Sequence, residues 1–141
     1  MTTTFMLRVA AAISFLFTLG HSIGGLQSWS PVPDNAVLRA MAGTHFPVMG
    51  VSRSYLDFYL GLGWSISVYL LLQTFLLWQM ASLARTNAAQ VRPMIAAFAL
   101  AALATGIIAW RLIFPVPALF SAMLFAALAA AWWTARGARR V

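Results

Sequence analysis

The sequence predicts an all-α protein: a four-helix transmembrane bundle, N-in/C-in, with a long outer loop that contains a short interfacial helix between helices one and two. Two observations predict this fold. Of the 141 residues, 62% are hydrophobic and only 8% are charged, whereas a soluble domain carries about 25% charged residues. The apolar residues also fall into four stretches, each near the ~20 residues that cross a bilayer. We expect residues 1–141 to form a single membrane domain.

The first span is predicted at residues 5–26. Arg8, a short apolar run and the sequence Ser22-Ile23-Gly24 would also suit a cleaved signal peptide. However, small and polar residues recur at helical spacing on one face through that site, so we expect the segment to be retained as a helix. This face consists of Ser14, Thr18, His21 and Gly25.

The outer loop, residues 27–54, contains the sequence Phe46-Pro47-Val48-Met49, which is too apolar to lie free in water. Within it Asp34 suits the N-cap of a short helix, and Val37, Leu38 and Met41 then form an apolar stripe at helical spacing. We therefore predict an interfacial helix that lies over the outer end of the bundle as a lid.

Short connections separate the other three spans. Polar residues predict an inner loop, after which Pro93 suits the first turn of a helix. Pro115 and Pro117 predict a tight outer turn that ends one helix and starts the next. The predicted ranges are 55–80 for the second span, 81–92 for the inner loop, 93–114 for the third span, 118–134 for the short fourth span and 135–141 for a basic C-terminal tail.

Arginine placement predicts the orientation. Four crossings place six arginines on one side and two on the other, and the richer side is expected to face the cytoplasm. We therefore predict a multi-pass protein of the bacterial cytoplasmic (inner) membrane. The six are Arg8, Arg85, Arg92, Arg136, Arg139 and Arg140; the two are Arg39 and Arg53.

The charge of +7 does not indicate a nucleic-acid partner. All nine cations are arginines that flank apolar segments instead of forming a stripe, which fits anionic lipid head groups. The chain has no cysteine, so disulfides and thiolate ligands are excluded. Two histidines without a carboxylate cluster make a weak metal site, and a loop histidine such as His45 is a poor haem ligand. No metal and no cofactor are predicted.

Small residues also predict which helix faces pack together. On helix two the face is Asp57, Gly61 and Ser65. On helix three it is Ala97, Ala101, Ala104, Ile108 and Arg111. We expect both to meet the small-polar face of helix one. Phe15, Leu70, Leu77 and Leu100 are expected to face lipid.

Three polar residues near the outer membrane boundary are candidates for chemistry: His21, Asp57 and Arg111. Asp57 suits a charge at a helix start, with or without an ion pair to Arg53; the alternatives are a pair with Arg111 and proton exchange with His21. His21 suits a strut between helices or a proton relay. Arg111 suits an interfacial anchor, a helix C-terminal cation or an anion-binding group.

A wider set at the same end is predicted to bind a ligand: His21, Arg53, Asp57, Tyr59, Trp64 and Arg111. Most tryptophans and tyrosines suit the membrane interface, whereas Trp64 lies deeper and is expected to line a cavity. Gln73 is deep enough to need a partner, and we expect it to bridge to another helix.

Residues 20–25 (GHSIGG), then Trp29, then residues 53–63 (RSYLDFYLGLG) resemble a family of short bacterial four-span membrane proteins of uncharacterised function. The resemblance covers the first 80 residues or so and implies the same fold and topology, but no activity. In size and span count the chain is also similar to the DoxX-like and sterol-isomerase-like membrane groups, a likeness of architecture alone. Because the chain has no glutamate, acid/base work would rest on Asp57 and His21.

These features predict, first, a protein that binds a lipid, quinone or other amphiphile in an outer-leaflet pocket without chemistry. The alternatives are a structural subunit that pairs with a partner membrane protein or with itself, and a membrane enzyme with a His21/Asp57/Arg111 acid-base site. A channel or transporter is disfavoured because no helix is polar along its length and no inverted repeat is visible.

Overall fold

The computed structural model describes residues 2–30, 32 and 35–138. Four helices in it are long and apolar enough to cross a membrane, which indicates a multi-pass membrane protein and confirms the predicted fold class at that level. They are α1 (Thr3–Gly25), α3 (Tyr55–Leu83), α4 (Ala88–Leu112) and α5 (Pro115–Thr134). The shorter α2 (Ala36–Gly43) precedes α3, and a 3₁₀ turn (Ala135–Ala138) follows α5.

A β-hairpin that the sequence analysis missed lies between α2 and α3. Strand β1 (His45–Val48) pairs antiparallel with β2 (Val51–Ser54). The two turn residues, Met49 and Gly50, have φ values of +46° and +84°. A two-residue hairpin of type I′ needs positive φ at both central positions, which glycine adopts without strain. The outer loop is therefore more ordered than predicted.

The helix predicted in the outer loop exists, but its N-cap is different. The Asn35 side chain, not Asp34, caps α2 by accepting a hydrogen bond of 2.8 Å from the N–H of Leu38. Asparagine is among the best N-cap residues, so the helix starts one residue later than predicted. Asp34 itself lies outside the described residues.

The turn between α3 and α4 is shorter than the predicted inner loop, 81–92. Helix α3 continues to Leu83, and Asn87 caps α4 by accepting from the N–H of Gln90 at 3.1 Å. The prediction that Pro93 lies in a first turn is therefore wrong, because Pro93 lies inside α4. The asparagine cap fixes the helix start, and the helix then tolerates the missing proline N–H.

The prolines at the start of α5 act as predicted, but the helix begins earlier. Pro115 is its first residue, where the missing N–H has no intrahelical partner to lose. The span therefore has 20 residues, so it is not short for a bilayer. At its other end Arg136 stacks on Trp132 and Trp133, with its guanidinium carbon 4.0 and 4.7 Å from the ring centroids. Arg139 and Arg140 lie outside the described residues.

The chain divides into two compact units. The first comprises residues 1–17 and 70–141, and the second comprises residues 18–69. In the first unit, segments of all four long helices surround one apolar core, in which small alanines allow close approach and a few large side chains fill the space. Its largest fully buried side chains are Leu7, Leu77, Val91, Ile95 and Leu128.

Burial tests the predicted helix faces. Ser14 and Thr18 are buried, which confirms the face of α1. The predictions for the other two helix faces are wrong. The residues predicted to pack are exposed: Asp57, Gly61 and Ser65 on α3, and Ala97, Ala101, Ala104, Ile108 and Arg111 on α4. Helix α4 instead buries Val91, Ile95, Ala99, Ala102 and Ala109. Alanine occurs on every side of α4, so small-residue spacing alone does not select a face.

Of the four positions predicted to face lipid, two are exposed and two are not. Phe15 and Leu100 are exposed as predicted, whereas Leu77 is fully buried and Leu70 is partly buried. Leu77 lies in the core of the first unit because the neighbouring segments there are alanine-rich and leave space for a large side chain.

Candidate ligand-binding site

The second unit contains a group of rings around the indole of Trp29. The Trp29 ring centroid lies 5.1 Å from that of His21, 6.1 Å from that of Tyr59 and 5.5 Å from that of Trp64. Tyr59 and Trp64 meet the indole edge-on, an arrangement that aromatic quadrupoles favour. We call these four residues the Trp29 cluster. Three of the six residues predicted to bind a ligand belong to it.

The chain reverses after α1 to bring Trp29 back against it. The backbone N–H of Trp29 donates to the carbonyl of Gly24 at 2.9 Å, and the indole N–H donates to the carbonyl of His21 at 2.8 Å. Ser28 and Trp29 have φ values of +54° and +48°, a left-handed conformation that costs a non-glycine residue roughly 1–3 kcal/mol. The hydrogen bonds and ring contacts of Trp29 must offset that cost.

Glycines make the space in which the indole lies. A methyl group added to Gly63 would overlap the Trp29 ring, and one added to Gly25 would come within 2.8 Å of it. At Gly61, two residues from Gly63, an added methyl group would meet nothing within 4 Å. The groove between these parts of α1 and α3 therefore accepts a flat ring because it has no side chains at the points of contact.

His21 connects α1 to α3. Its Nδ1 lies 3.0 Å from the hydroxyl oxygen of Ser67, which is itself buried. A serine hydroxyl can donate or accept, so the contact suits either tautomer of the imidazole. This contact agrees with one of the roles predicted for His21, a hydrogen-bonding strut between two helices. Such a hydrogen bond is stabilising in lipid.

Asp57 caps α3. Its carboxylate accepts from the backbone N–H of Ser54 at 2.8 Å, while the N–H of Asp57 donates to the hydroxyl of Ser54 at 3.1 Å. This is the reciprocal pattern of a capping box, which satisfies two donors that the helix start leaves without partners. A negative charge in the first turn also complements the helix dipole. The helix-start role considered for Asp57 is therefore the one its contacts support.

Arg53 makes no contact with the Trp29 cluster among the described residues, and Arg111 belongs to the first unit. Arg53 lies on β2 opposite Phe46, and its guanidinium donates to the carbonyl of Ser52 at 3.3 Å. Among the described residues it forms no ion pair with Asp57. Arg111 is exposed in the last turn of α4, where a cation stabilises the helix C-terminus.

His21 and Asp57 have separate partners along α3. Ser67, the partner of His21, lies ten residues beyond Asp57, which is ~15 Å along a helix that rises 1.5 Å per residue. A proton transfer needs heavy atoms within about 3 Å or one bridging water. The structure brings His21 to Ser67 and Asp57 to Ser54, not to each other.

Gln73 bridges to another helix as predicted. Its side-chain Nε2 donates to the hydroxyl oxygen of Ser14 on α1 at 3.0 Å, and Thr74 Oγ1 lies 2.9 Å from the same oxygen. Ser14 is buried, so these contacts form a polar centre inside the first unit. In an apolar medium such a centre holds helices in register, because a slip would leave polar groups without partners.

Sequence reasoning missed two members of these sites. Trp29 was grouped with the interfacial aromatics, although three glycines (Gly24, Gly25 and Gly63) leave space for its ring. Ser67 was not singled out, although it is buried and is the partner of His21. The Gly24-Gly25 pair just before a tryptophan was a usable signal. Nothing local in the sequence pointed to Ser67.

Comparisons with known proteins add no function: the chain matches no protein-family model, and neither curated proteins nor solved structures include a match to it. These comparisons do not support the resemblance of residues 20–25 and 53–63 to a family, so the function has to be argued from the Trp29 cluster.

Proposed function

We propose that this chain is an N-in/C-in protein of the bacterial cytoplasmic membrane that binds a lipid, quinone or other amphiphile at the Trp29 cluster, in the outer leaflet and without chemistry. The observation that carries the proposal is the glycine-walled groove, because it accepts a flat ring with a polar edge. The indole of Trp29 has that shape, and its N–H finds an acceptor in the carbonyl of His21.

The rim of the cluster supports contact with a second molecule. Tyr59 and Trp64 are partly exposed beside the indole, and each combines an apolar ring with a hydrogen-bonding group. Such side chains suit the level of a membrane where a head group meets an acyl chain. We infer that a ring or head group packs on this rim, either against Trp29 or in its place.

The surroundings of the cluster support a position at the membrane surface. The hairpin tip exposes Met49 completely and Val51 by nearly half, and α2 exposes Val37. Apolar side chains on a short helix and a hairpin tip are typical of segments that lie in the interface. Arg39 and Arg53 are exposed in the same segments and would face head-group phosphates.

The test is native mass spectrometry of the protein purified from membranes in a mild detergent. We expect an amphiphile to co-purify with the unchanged protein and to be lost from Trp64→Ala, which removes one side of the rim. Trp110→Ala is the matched control, because Trp110 is an exposed tryptophan on α4 in the first unit. It should keep the same occupancy.

Two results would count against binding at this cluster. One is the absence of any bound amphiphile in the unchanged protein under conditions that keep it folded. The other is equal loss of the amphiphile from Trp64→Ala and Trp110→Ala, which would indicate a general lipid belt. Circular dichroism on the same samples separates loss of ligand from loss of fold.

A partner subunit is the second candidate, and the surface of α3 favours it. Of the four long helices, α3 buries the smallest share of its most apolar stretch. It exposes large side chains on several sides, among them Leu62, Val68, Tyr69, Leu71, Phe75 and Trp78. Lipid could cover these residues, and so could a helix of a second protein or a second copy.

The absence of cysteine makes this candidate easy to test, since one introduced thiol is the only thiol in the chain. We expect Val68→Cys on α3 to form disulfide-linked dimers in native membranes if two copies meet there. Leu119→Cys on α5, also exposed, is the control. No crosslinking at either position, together with a monomeric mass in mild detergent, would exclude self-association through α3.

A further inference from the structure

Each of the four long helices contributes a polar side chain to one small cavity in the first unit. The cavity has a volume of about 50 Å³. Ser14 lies in the middle of the 23-residue α1, so in a membrane the cavity is far from both water layers. The polar residues of the lining are Ser14 of α1, Gln73 of α3, Thr105 of α4 and Ser121 of α5.

Three polar groups in this lining make no hydrogen bond to any residue that the structure describes. Ser121 is 4% exposed, and its hydroxyl makes no hydrogen bond to any residue that the structure describes. Within the same described part of the chain, the side-chain carbonyl of Gln73, which is partly buried, and the hydroxyl of Thr105, which is exposed on α4, also make none. A buried hydroxyl such as that of Ser121 is nearly always hydrogen-bonded, because leaving it without a partner in an apolar medium is costly.

The volume and the polarity of the cavity indicate which kind of molecule fits inside it. A drug-sized ligand needs a pocket of about 300 Å³ or more, and a benzene ring fits a cavity of about 150 Å³, so this cavity is too small for the amphiphile of the proposed function. One water molecule takes about 30 Å³ in the liquid and needs two to four polar partners. Apolar cavities stay dry, whereas this one is lined by the buried hydroxyl of Ser121 and by polar groups of Gln73 and Thr105.

We propose that the cavity is an internal water site, in which one or two water molecules join α3, α4 and α5. The water donates to the side-chain carbonyl of Gln73 and exchanges hydrogen bonds with the hydroxyls of Ser121 and Thr105. Ser14 orients this arrangement, because its hydroxyl oxygen accepts from the Gln73 amide at 3.0 Å and so turns the carbonyl of that amide away from α1.

The test is water-edited solid-state NMR of the isotope-labelled full chain in bilayers of deuterated lipid. Polarisation from water protons should reach the side-chain amide of Gln73 in the unchanged protein. In Ser121→Val, which removes the hydroxyl and fills the cavity with methyl groups, that transfer should be lost. Gln79, exposed on the same helix, is the internal control and should receive polarisation in both proteins.

Two results would overturn the proposal. The first is no transfer to Gln73 in the unchanged protein while Gln79 receives it. The second is transfer to Gln73 that persists in Ser121→Val, which would mean that the water arrives by another route. Should valine prevent folding, Ser121→Ala serves instead, because it removes one partner of the water without adding volume; weaker transfer supports the site, and unchanged transfer overturns it.

Discussion

The two units of the chain differ in what they bury. In the first unit the buried residues are mostly apolar, and Leu7, Leu77, Ile95 and Leu128 fill a continuous core. In the described part of the second unit no large apolar side chain is buried. The side chains that are buried there carry hydroxyl groups: Thr18, Ser54 and Ser67.

The difference indicates that each unit is stabilised internally by a different kind of interaction. Close packing stabilises the first unit, and packing is strong in lipid only where surfaces fit well. Hydrogen bonds, a capping box and ring contacts around Trp29 stabilise the second. Regions with few packed apolar contacts open at lower free energy, and ligand-binding segments are drawn from such regions. The proposed binding site therefore lies in the part of the chain that is easier to rearrange.

Removing a core side chain should have the largest effect on stability. Leu128→Ala, at a side chain with 0% exposure on α5, should cost about 2–3 kcal/mol. This is the low end for a buried leucine, because lipid replaces part of the lost transfer energy. The measurement is unfolding by dodecyl sulfate in mixed micelles, followed by circular dichroism.

The matched control is Leu119→Ala on the same helix, where the side chain is 59% exposed. It should cost less than about 0.5 kcal/mol, as surface substitutions usually do. Equal losses at the two positions would mean that the core of the first unit is not what holds the bundle together.

A methyl group in the groove of the second unit should have the next largest effect. Gly63→Ala overlaps the Trp29 ring, and overpacking of this kind costs about 1–3 kcal/mol. We expect the effect to be local, because Trp29 leaves the groove while the core of the first unit stays intact. Hydrogen exchange should become faster at the end of α1 and in the following turn, and should stay unchanged in α4 and α5.

Gly61→Ala is the control for that prediction. An added methyl group meets nothing there, and alanine is a better helix former than glycine by up to about 1 kcal/mol. It should leave the groove unchanged or stabilise α3 slightly. Faster exchange around Trp29 in Gly61→Ala as well would show that glycine acts through the flexibility of α3, not through space for the ring.

The sequence predicts the parts of this structure that depend on local physics. Span lengths follow from hydropathy, so the second span was predicted to begin at Tyr55, where α3 begins. The position of Asp57 at a helix start was predicted in the same way, although its exchange of hydrogen bonds with Ser54 was not. Trp29 could not be placed in the same way, because its position requires two left-handed residues and a glycine on another helix. The packed face of α4 was missed because alanine lies all around that helix.

Breaking the cap of α3 should have a smaller effect, confined to the second unit. In Asp57→Ala the N–H of Ser54 loses its acceptor, so the first turn of α3 should fray and its amides should exchange faster. Asp57→Glu should restore the cap, since glutamate is the usual partner of serine in a capping box. Failure of glutamate to restore slow exchange would mean that Asp57 acts through something other than the cap.

The smallest effect is expected for a cation–π contact of the first unit, between Arg8 and Trp78. The guanidinium carbon of Arg8 is 3.5 Å from the centroid of Trp78, and such contacts contribute about 0.5–1 kcal/mol at exposed sites. Arg8→Lys keeps the charge but loses the planar stacking, so it should cost about 0.5 kcal/mol in the same unfolding measurement. Arg85→Lys, at an exposed arginine, should cost nothing measurable. If Arg8→Lys lost as much unfolding free energy as Leu128→Ala, ring contacts would contribute as much as core packing to the first unit. The proposed difference between the two units would then be wrong.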